Sequence, residues 1–302
     1  MSNSNDPMVI HHIGRFMIHV PQSMKVARRS ASMRTCELEE IQWPSGGKHD
    51  VARQVLWQAR IQEIESKTPP PLEKKAMAEV RNLGGEVRWT QAVSYFGDSM
   101  TNRRIFWGVL LDAGSGALWV TADGRADLKE RILQEEPLDI ARAYHLVDSS
   151  NPPPKENVFY LEHGFVALPY LDQEEAYARF EGHPLGLKLR VQTNETHEDE
   201  PHDEGLLGRL AATLASSMAA GVDVEKIRAG KRVVGGLKGE ETVLRAKTKD
   251  KTDLSFIWRF AGKKDSGEQP EILIEIEAKD GQLDEKLKLW DAVLNSFKPA
   301  GR

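Results

Sequence analysis

The stretch Ser149-Ser150-Asn151-Pro152-Pro153-Pro154-Lys155 lies at the midpoint of this 302-residue sequence. Its three consecutive prolines remove three backbone donors and fix three φ angles, so it cannot form the interior of a helix or a sheet. Such a run favours a short, stiff polyproline spacer. We therefore predict a hinge over residues 149–157, with Pro152, Pro153 and Pro154 as its rigid part. The hinge would join an N-terminal domain, 1–148, to a C-terminal domain, 158–302.

The composition on either side of this stretch is that of a globular protein. Hydrophobic residues make up 40% of the chain and charged residues 29%, which excludes a disordered or membrane-embedded chain. At 302 residues, each half is long enough to bury a core of its own. The net charge of −5 argues against a general nucleic-acid binder and is compatible with a basic partner.

Three further features concern the compartment. Cys36 is the only cysteine, so neither an internal disulfide nor a cluster of thiolate metal ligands can form. No run of apolar residues is long enough to predict a transmembrane helix. Residues 1–7 are polar and lack the apolar core of a signal peptide. These features are compatible with the cytoplasm, and also with a periplasmic protein whose leader is missing from the sequence.

Apolar periodicity in the first half predicts strands and helices in mixed order. Gly14 to Pro21 alternates like a half-buried strand, and a helix is expected over 50–66. A second helix is expected after Pro69-Pro70-Pro71, because Leu72, Ala76, Val80 and Leu83 recur at helical spacing. Further strands are predicted over 37–43, 86–95, 104–112 and 117–121, and a further helix over 126–134.

The second half repeats this plan. Both halves end in a β-hairpin followed by a helix, and Trp107 and Trp258 fall in matching strands. The predicted fold class is therefore α+β: two tandem, related domains, each with an antiparallel sheet and packed helices. An internal duplication explains the repetition more economically than two unrelated domains. The predicted elements of this half are strands over 164–169, 185–192, 232–234, 241–246, 254–260 and 271–277, and helices over 203–219 and 283–295.

No stretch has the spacing of a catalytic or cofactor site. Gly235-Gly236-Leu237-Lys238-Gly239 lies between two predicted strands and opens no helix, so its glycines predict a turn with positive φ rather than a phosphate loop. The sequence has no Gly-x-Ser-x-Gly motif. Cys36 could be a nucleophile only beside a base, and none is indicated, so we predict a structural thiol. Catalytic residues, metals and cofactors are therefore all predicted to be absent.

The most acidic segment runs from Glu195 to Glu204 and contains six acidic residues with no Lys or Arg among them. A metal site built from His197, His202 and carboxylates is an alternative, but the spacing fits no compact ligand pattern. A solvated loop that makes electrostatic contact with a cationic partner is the preferred interpretation. The candidate partner-binding residues are Glu198, Asp199, Glu200 and Trp43, which lies beside Pro44 and is expected to be exposed.

A family resemblance rests on the order and spacing of five stretches. They are Gly14 to Pro21 in the first half, then Glu162-His163-Gly164-Phe165-Val166-Ala167-Leu168-Pro169, Arg232 to Glu241, Phe256 to Gly262 and Trp290 to Phe297 in the second. Taken together, they resemble the immunity proteins that protect bacteria against phospholipase or lipase effectors of the type VI secretion system.

The resemblance implies a non-enzymatic inhibitor with two α+β domains that grip a cognate lipolytic toxin in a 1:1 complex. It also implies action in the periplasm, where the toxin attacks membrane phospholipids, without a cofactor, nucleic acid or membrane span. Two other functions remain open at this stage. One is a periplasmic lipid- or ligand-binding module with a deep apolar pocket, and the other is a hydrolase that uses Cys36 or the His/acidic loop.

Overall fold

The computed structural model describes residues 6–46, 48–84, 88–97, 99–147, 152–198, 205–219 and 221–301. Antiparallel sheets and a smaller number of helices make up these residues, and the predicted α+β class is confirmed. The helices are α1 (His49–Glu65), α2 (Lys129–Glu135), α3 (Pro137–Ala143), α4 (Leu206–Ala219) and α5 (Leu283–Ser296). None of the helices in the described residues is long and apolar enough to cross a membrane.

The strands are named in chain order. They are β1 (Met8–Ile13), β2 (Phe16–Pro21), β3 (Lys25–Met33), β4 (Cys36–Gln42), β5 (Met77–Asn82), β6 (Thr90–Tyr95), β7 (Arg104–Asp112), β8 (Gly116–Arg125), β9 (Tyr144–Leu146), β10 (Phe159–Tyr160), β11 (Gly164–Val166), β12 (Glu175–Glu181), β13 (Lys188–Asn194), β14 (Asp223–Val234), β15 (Leu237–Lys247), β16 (Thr252–Phe260), β17 (Glu271–Lys279) and β18 (Lys298–Pro299).

The contacts group the chain into two compact units. Unit A contains Met1–Ser30 and Tyr170–Arg302, and unit B contains Ala31–Pro169. These bounds differ from the predicted domains, because the N-terminal strands group with the C-terminal half. Residues 152–157, the described part of the predicted hinge, form neither helix nor strand and lie within unit B, and residues 149–151 lie outside the described residues. A compact unit is not necessarily a domain that folds by itself. The predicted domains and the predicted hinge therefore remain predictions.

Unit A contains two antiparallel sheets. One has the strand order β14-β15-β16-β17-β13-β12, and the other has the order β1-β2-β18. The phenyl rings of Phe16 on β2 and Phe297 are stacked with their centroids 5.1 Å apart, and Trp258 lies 6.4 Å from Phe297. All three side chains are buried, so the first strands of the sequence help to form the core beside α5.

The turn between β14 and β15 is the predicted glycine turn. Val234 pairs with Leu237, which leaves Gly235 and Gly236 as a two-residue loop. Their φ angles are +58° and +86°, which is the conformation of a type I′ turn and which L-residues adopt only at a cost. A Cβ on Gly235 would also lie 2.8 Å from the carbonyl oxygen of Phe297. The prediction of a positive-φ turn at these glycines is confirmed.

The main sheet of unit B has the order β4-β8-β7-β6-β5, and β3 pairs with β4 through residues 31–33. Helix α1 covers one face of this sheet, where Trp57 and Ile64 pack with Val93, Leu110 and Trp119. Helices α2 and α3 contact β7 and β8. The second sheet of the unit is small, with the order β10-β11-β9.

The prediction of a helix from Leu72 to Leu83 is wrong. Residues Met77–Asn82 form β5, which pairs antiparallel with β6, and their exposure alternates with a period of two. The helical spacing of Leu72, Ala76, Val80 and Leu83 is real, but only Ala76 and Leu83 are buried. Backbone pairing with β6 decides the conformation here, since tertiary contacts override the weak local preference of a short segment.

Smaller differences concern element ends and short strands. In the helical segment after β8, which was predicted over 126–134, the buried side chain is Leu133, whereas Leu128 is 40% exposed. Residues 138–147, for which no element was predicted, contain most of α3 and then β9. The strands β1, β9, β10, β12 and β18 were not predicted. Three of them, β9, β10 and β18, have three residues or fewer, which is too short for a clear period.

Candidate partner-binding surface

Trp43 is buried, and the expectation that it is exposed is wrong. Its relative exposure is 7%, and it packs in the core that α1 forms with the sheet of unit B. Its indole Nε1 donates to Asp112 Oδ1 at 3.3 Å, an oxygen that also accepts the backbone N–H of Gly114 at 2.9 Å. The sequence placed Trp43 at the end of a strand but gave no sign that α1 folds back over it. Its role in partner binding remains a prediction.

The acidic segment is only partly described. Glu198 is exposed, whereas Asp199, Glu200 and residues 201–204 lie outside the described residues. Glu195, at the start of the segment, is used inside unit A. Its Oε1 accepts the hydroxyl of Tyr170 at 2.6 Å, and its Oε2 accepts the backbone N–H of Gln173. Of the candidate acidic residues, Glu198 is therefore the one that the structure places at a described, exposed position.

Three side chains beside this segment could approach a cation. Ligand atoms of Glu195, His197 and Asp265 lie within 4.8 Å of one another. However, both oxygens of Glu195 already accept hydrogen bonds, and burial together with the bond to Glu195 raises the pKa of Tyr170, which keeps its hydroxyl a donor. His197 and Asp265 are exposed. We therefore do not assign a metal site to these three side chains, and the absence of a metal stays a prediction.

Cys36 lies on β4 and is fully buried. Its burial raises the pKa of the thiol, and the neighbouring carboxylate of Glu136, 4.0 Å from Sγ, raises it further. A thiol in these surroundings stays protonated and is a poor nucleophile. The geometry therefore agrees with a structural role for Cys36.

The stretch Glu162-His163-Gly164, part of the family resemblance, leads from the turn after β10 into β11, whose first residue is Gly164. The carboxylate of Glu40 holds this turn: its Oε2 accepts the backbone N–H groups of Glu162 and His163 at 2.7 and 2.9 Å. Its Oε1 accepts the hydroxyl of Tyr144 at 2.8 Å. Gly164 is needed because a Cβ there would lie 2.6 Å from both the carbonyl oxygen of His145 and the ring of Tyr144.

Replacing Glu40 with alanine is expected to lower the free energy of unfolding by about 2 kcal/mol, because two backbone N–H groups and a buried tyrosine lose a charged acceptor. Glu39→Ala is the matched control. Glu39 pairs with Arg60 at the surface, so its loss should cost less than about 1 kcal/mol. Urea denaturation of both variants measures the difference. Equal stability of the two variants would contradict the role assigned to Glu40.

The most exposed large apolar side chains of unit B lie on two loops that sequence patterns did not single out. Leu72 is 96% exposed and Met100 is 81% exposed. The loops are joined by a hydrogen bond from Asn102 Nδ2 to Glu73 Oε1 at 3.3 Å. Leu72 was expected inside a helix, so its exposure reverses the prediction for this residue. The backbone of Leu72 has a positive φ of 73°, which the sequence did not predict.

The fold and these surfaces can be compared with known proteins. Residues 152–300 match the family described as the Tle cognate immunity protein 4 C-terminal domain. The resemblance to immunity proteins of the type VI secretion system is therefore confirmed. No curated protein sequence gives a significant match to the chain.

Solved structures with the same fold include immunity proteins. The apo structure of TplEi, an immunity protein of the type VI secretion system from Pseudomonas aeruginosa, has a TM-score of 0.77 at 17% identity, with 97% of each chain covered. A chain in the crystal structure of the Tle4–Tli4 complex has a TM-score of 0.78 at 17% identity, covering 97% of this chain and 98% of that one. TplEi complexed with the "L" peptide has a TM-score of 0.73 at 17% identity, with 98% and 99% covered.

Proposed function

We propose that this chain is an immunity protein that binds and inhibits a phospholipase effector of the type VI secretion system. The match of residues 152–300 to the Tle cognate immunity protein 4 C-terminal domain carries the proposal. The shared fold with a chain of the Tle4–Tli4 complex supports it over 97% of the sequence. The effector is then the partner, in a 1:1 complex.

Inhibition by binding needs a large complementary surface and no catalytic residue. We therefore propose that the chain acts without catalysis, and in the periplasm, where a phospholipase would reach its membrane substrate. Contacts from both predicted domains would clamp the effector and deny lipid access to its active site. Pro152, Pro153 and Pro154 would serve as the stiff joint of this clamp, since a proline run resists bending.

The decisive experiment mixes the chain with the phospholipase encoded beside its gene. A 1:1 complex in size-exclusion chromatography and loss of phospholipid hydrolysis are expected. An unrelated lipase is the control and should keep its activity at the same concentration of the chain. Full hydrolysis by the neighbouring phospholipase, with two separate elution peaks, would reject the proposed function.

The acidic candidates can be tested through the association rate. Reversal of charge at Glu198, Asp199 and Glu200 to lysine should slow association with the effector about tenfold at low salt, because opposite charges speed the approach of partners. The difference should shrink as salt rises, since screening weakens long-range attraction. Asp250→Lys, at an exposed hairpin turn, is the control for charge reversal elsewhere on unit A. An unchanged rate for the triple variant would remove this segment from the interface.

A further inference from the structure

We propose that the turn Pro70–Glu73 is an anchor that inserts the side chain of Leu72 into an apolar pocket of the effector, and that acidic residues border that pocket. The inference rests on the proposed function, because it takes the effector as the partner. It concerns Leu72 of unit B, for which the sequence predicted a position on the apolar stripe of a helix.

The backbone of this turn holds Leu72 in a conformation that leucine disfavours. The N–H of Glu73 donates to the carbonyl oxygen of Pro70 at 3.1 Å, which closes a four-residue turn with Pro71 and Leu72 at its centre. Leu72 occupies the third position with a φ of +73°, where glycine or asparagine is the usual residue. Such an outlier supports a hypothesis of function. Among the described non-glycine residues with positive φ, Leu72 is the only one with an aliphatic side chain.

The side chain of Leu72 gains nothing from the folded chain. It is 96% exposed, so its apolar surface remains in water, while its backbone carries the cost of the left-handed conformation. Asparagine at this position would relieve the strain without losing any packing. The leucine therefore fits a role outside the fold, in which its apolar surface is buried by a partner.

The turn is also rigid before any partner binds. Pro69, Pro70 and Pro71 each fix their own φ, and Pro70 is buried at the base of the turn. A side chain presented on such a support loses little conformational freedom on binding, which is the advantage of a preorganised contact. Well-packed anchors of this type dominate the energy of many interfaces.

The surroundings of Leu72 indicate the chemistry of the pocket. Met100, 81% exposed on the adjoining loop, adds a second apolar side chain. Lys74 and Lys75 follow the turn in the chain, Arg103 follows Asn102 on the adjoining loop, and all three are exposed. The carboxylate of Glu73, next to Leu72 in the chain, accepts the hydrogen bond from Asn102. An apolar centre with a cationic border fits a partner surface with an apolar centre and an acidic border.

An anionic lipid surface shares part of this chemistry but fits less well. Two apolar side chains, one on the turn and one on the adjoining loop, bury too little area for stable membrane attachment, which requires an amphipathic helix or an acyl chain as well as basic residues. The net charge of −5 also opposes attraction to an anionic surface. A protein pocket, which surrounds one side chain on several sides, makes better use of a single rigid leucine.

The test compares Leu72→Asn with the wild-type chain for binding to the neighbouring phospholipase by calorimetry or surface plasmon resonance. Kd is expected to rise at least tenfold, while the Tm stays equal or rises because the strain in the turn is relieved. Leu72→Met should restore most of the affinity. Leu171→Asn changes an exposed leucine of unit A, 65% exposed, and should leave Kd within twofold.

The cationic border is tested by the pair Lys74→Glu and Lys75→Glu, which should slow association at low salt. The control is Lys247→Glu with Lys249→Glu, two exposed lysines of unit A that change the net charge equally. The control pair should leave the association rate unchanged if the border around Leu72 meets an acidic surface.

The outcomes separate the two proposals. Wild-type binding with an unchanged Kd for Leu72→Asn overturns the anchor and leaves the proposed function standing. Absence of wild-type binding overturns the proposed function, and the anchor with it. Sedimentation of the wild-type chain, but not of Leu72→Asn, with vesicles of phosphatidylglycerol and phosphatidylcholine would overturn the anchor in favour of a lipid contact. Weaker binding of Leu72→Asn to the effector, with an unchanged or higher Tm, supports the anchor.

Discussion

Deletion of residues 1–30 is expected to leave the C-terminal half of the chain unable to fold. This segment contributes β1 and β2 to unit A, and β2 pairs with β18 at the opposite end of the sequence. The backbone N–H of His19 donates to the hydroxyl of Ser296 at 2.8 Å, and the ring of Phe16 stacks on that of Phe297. In residues 6–30, the described part of this segment, five large apolar side chains are buried: Ile13, Phe16, Ile18, Val20 and Met24.

The magnitude follows from this burial. Each fully buried side chain of this size contributes about 1.5–3 kcal/mol, so the loss of five amounts to about 10 kcal/mol. That is comparable to the whole free energy of unfolding of a typical protein, about 5–15 kcal/mol. Deletion would also expose Phe297 to water. The truncated chain should therefore lose its cooperative thermal transition and collect in inclusion bodies.

Far-UV circular dichroism and solubility of the deleted chain give the measurement. A milder pair of variants isolates the cause: Phe16→Ala should cost about 3–5 kcal/mol, whereas Ile10→Ala, at a side chain that is 51% exposed, should cost under about 1 kcal/mol. The fragment 158–302 addresses the predicted domain directly. If it melted cooperatively by itself, the predicted domain division would be right and this expectation would be wrong.

The second large effect is expected at Glu241, a carboxylate that is 5% exposed on β15. Its Oε1 accepts the indole N–H of Trp290 at 2.6 Å and also faces the guanidinium groups of Arg232 and Arg228 at 2.9 and 3.2 Å. Both arginines bond Asp291 on α5 as well, at 2.6 and 2.7 Å. The network thus ties the edge strand β14 and the central part of α5 to the sheet of unit A.

Glu241→Ala should lower the free energy of unfolding by about 3 kcal/mol, since it leaves a buried indole N–H without its acceptor and two arginines with one carboxylate instead of two. Glu241→Gln should recover part of the loss, because its amide oxygen can still accept from Trp290. Glu225→Ala is the control on the neighbouring strand. Glu225 pairs with Arg245 at the surface, where an ion pair contributes under about 1 kcal/mol.

Chemical denaturation followed by tryptophan fluorescence measures all three variants, because Trp290 lies in the network itself. A loss at Glu241→Ala no larger than at Glu225→Ala would show that the buried network contributes no more than a surface pair. Unchanged affinity for the effector per folded molecule is expected for both, since neither residue is assigned to the interface.

Local patterns allowed much of the fold to be predicted. Strand β7 has the bounds that alternation predicted, 104–112, and α5 extends the predicted helix by a single residue. The turn at Gly235-Gly236 also followed from the sequence, because glycine adopts positive φ without the steric cost of a side chain. The order and spacing of the resembling stretches led to the immunity family, which the match over residues 152–300 confirms.

The candidate site was predicted less well, and two residues show why. Trp43 was expected to be exposed and is buried, whereas Leu72 was expected to be buried and is exposed. A sequence pattern states which residues are apolar but not which element will cover them. Trp43 is buried because α1 covers it. Leu72 stays exposed because the segment after it forms β5, which pairs with β6, and not the predicted helix.

The amino-acid sequence predicts the elements whose conformation depends on neighbours along the chain: alternating strands, amphipathic helices and glycine turns. The contacts between distant segments are known only from the folded chain. Phe16 packs on Phe297, and Glu40 holds the turn at Glu162 and His163. The physical reason is that an apolar side chain or a hydrogen-bonding group can be satisfied by any suitable partner in space. The periodicity of a segment shows that its apolar face must be covered, but not which segment covers it.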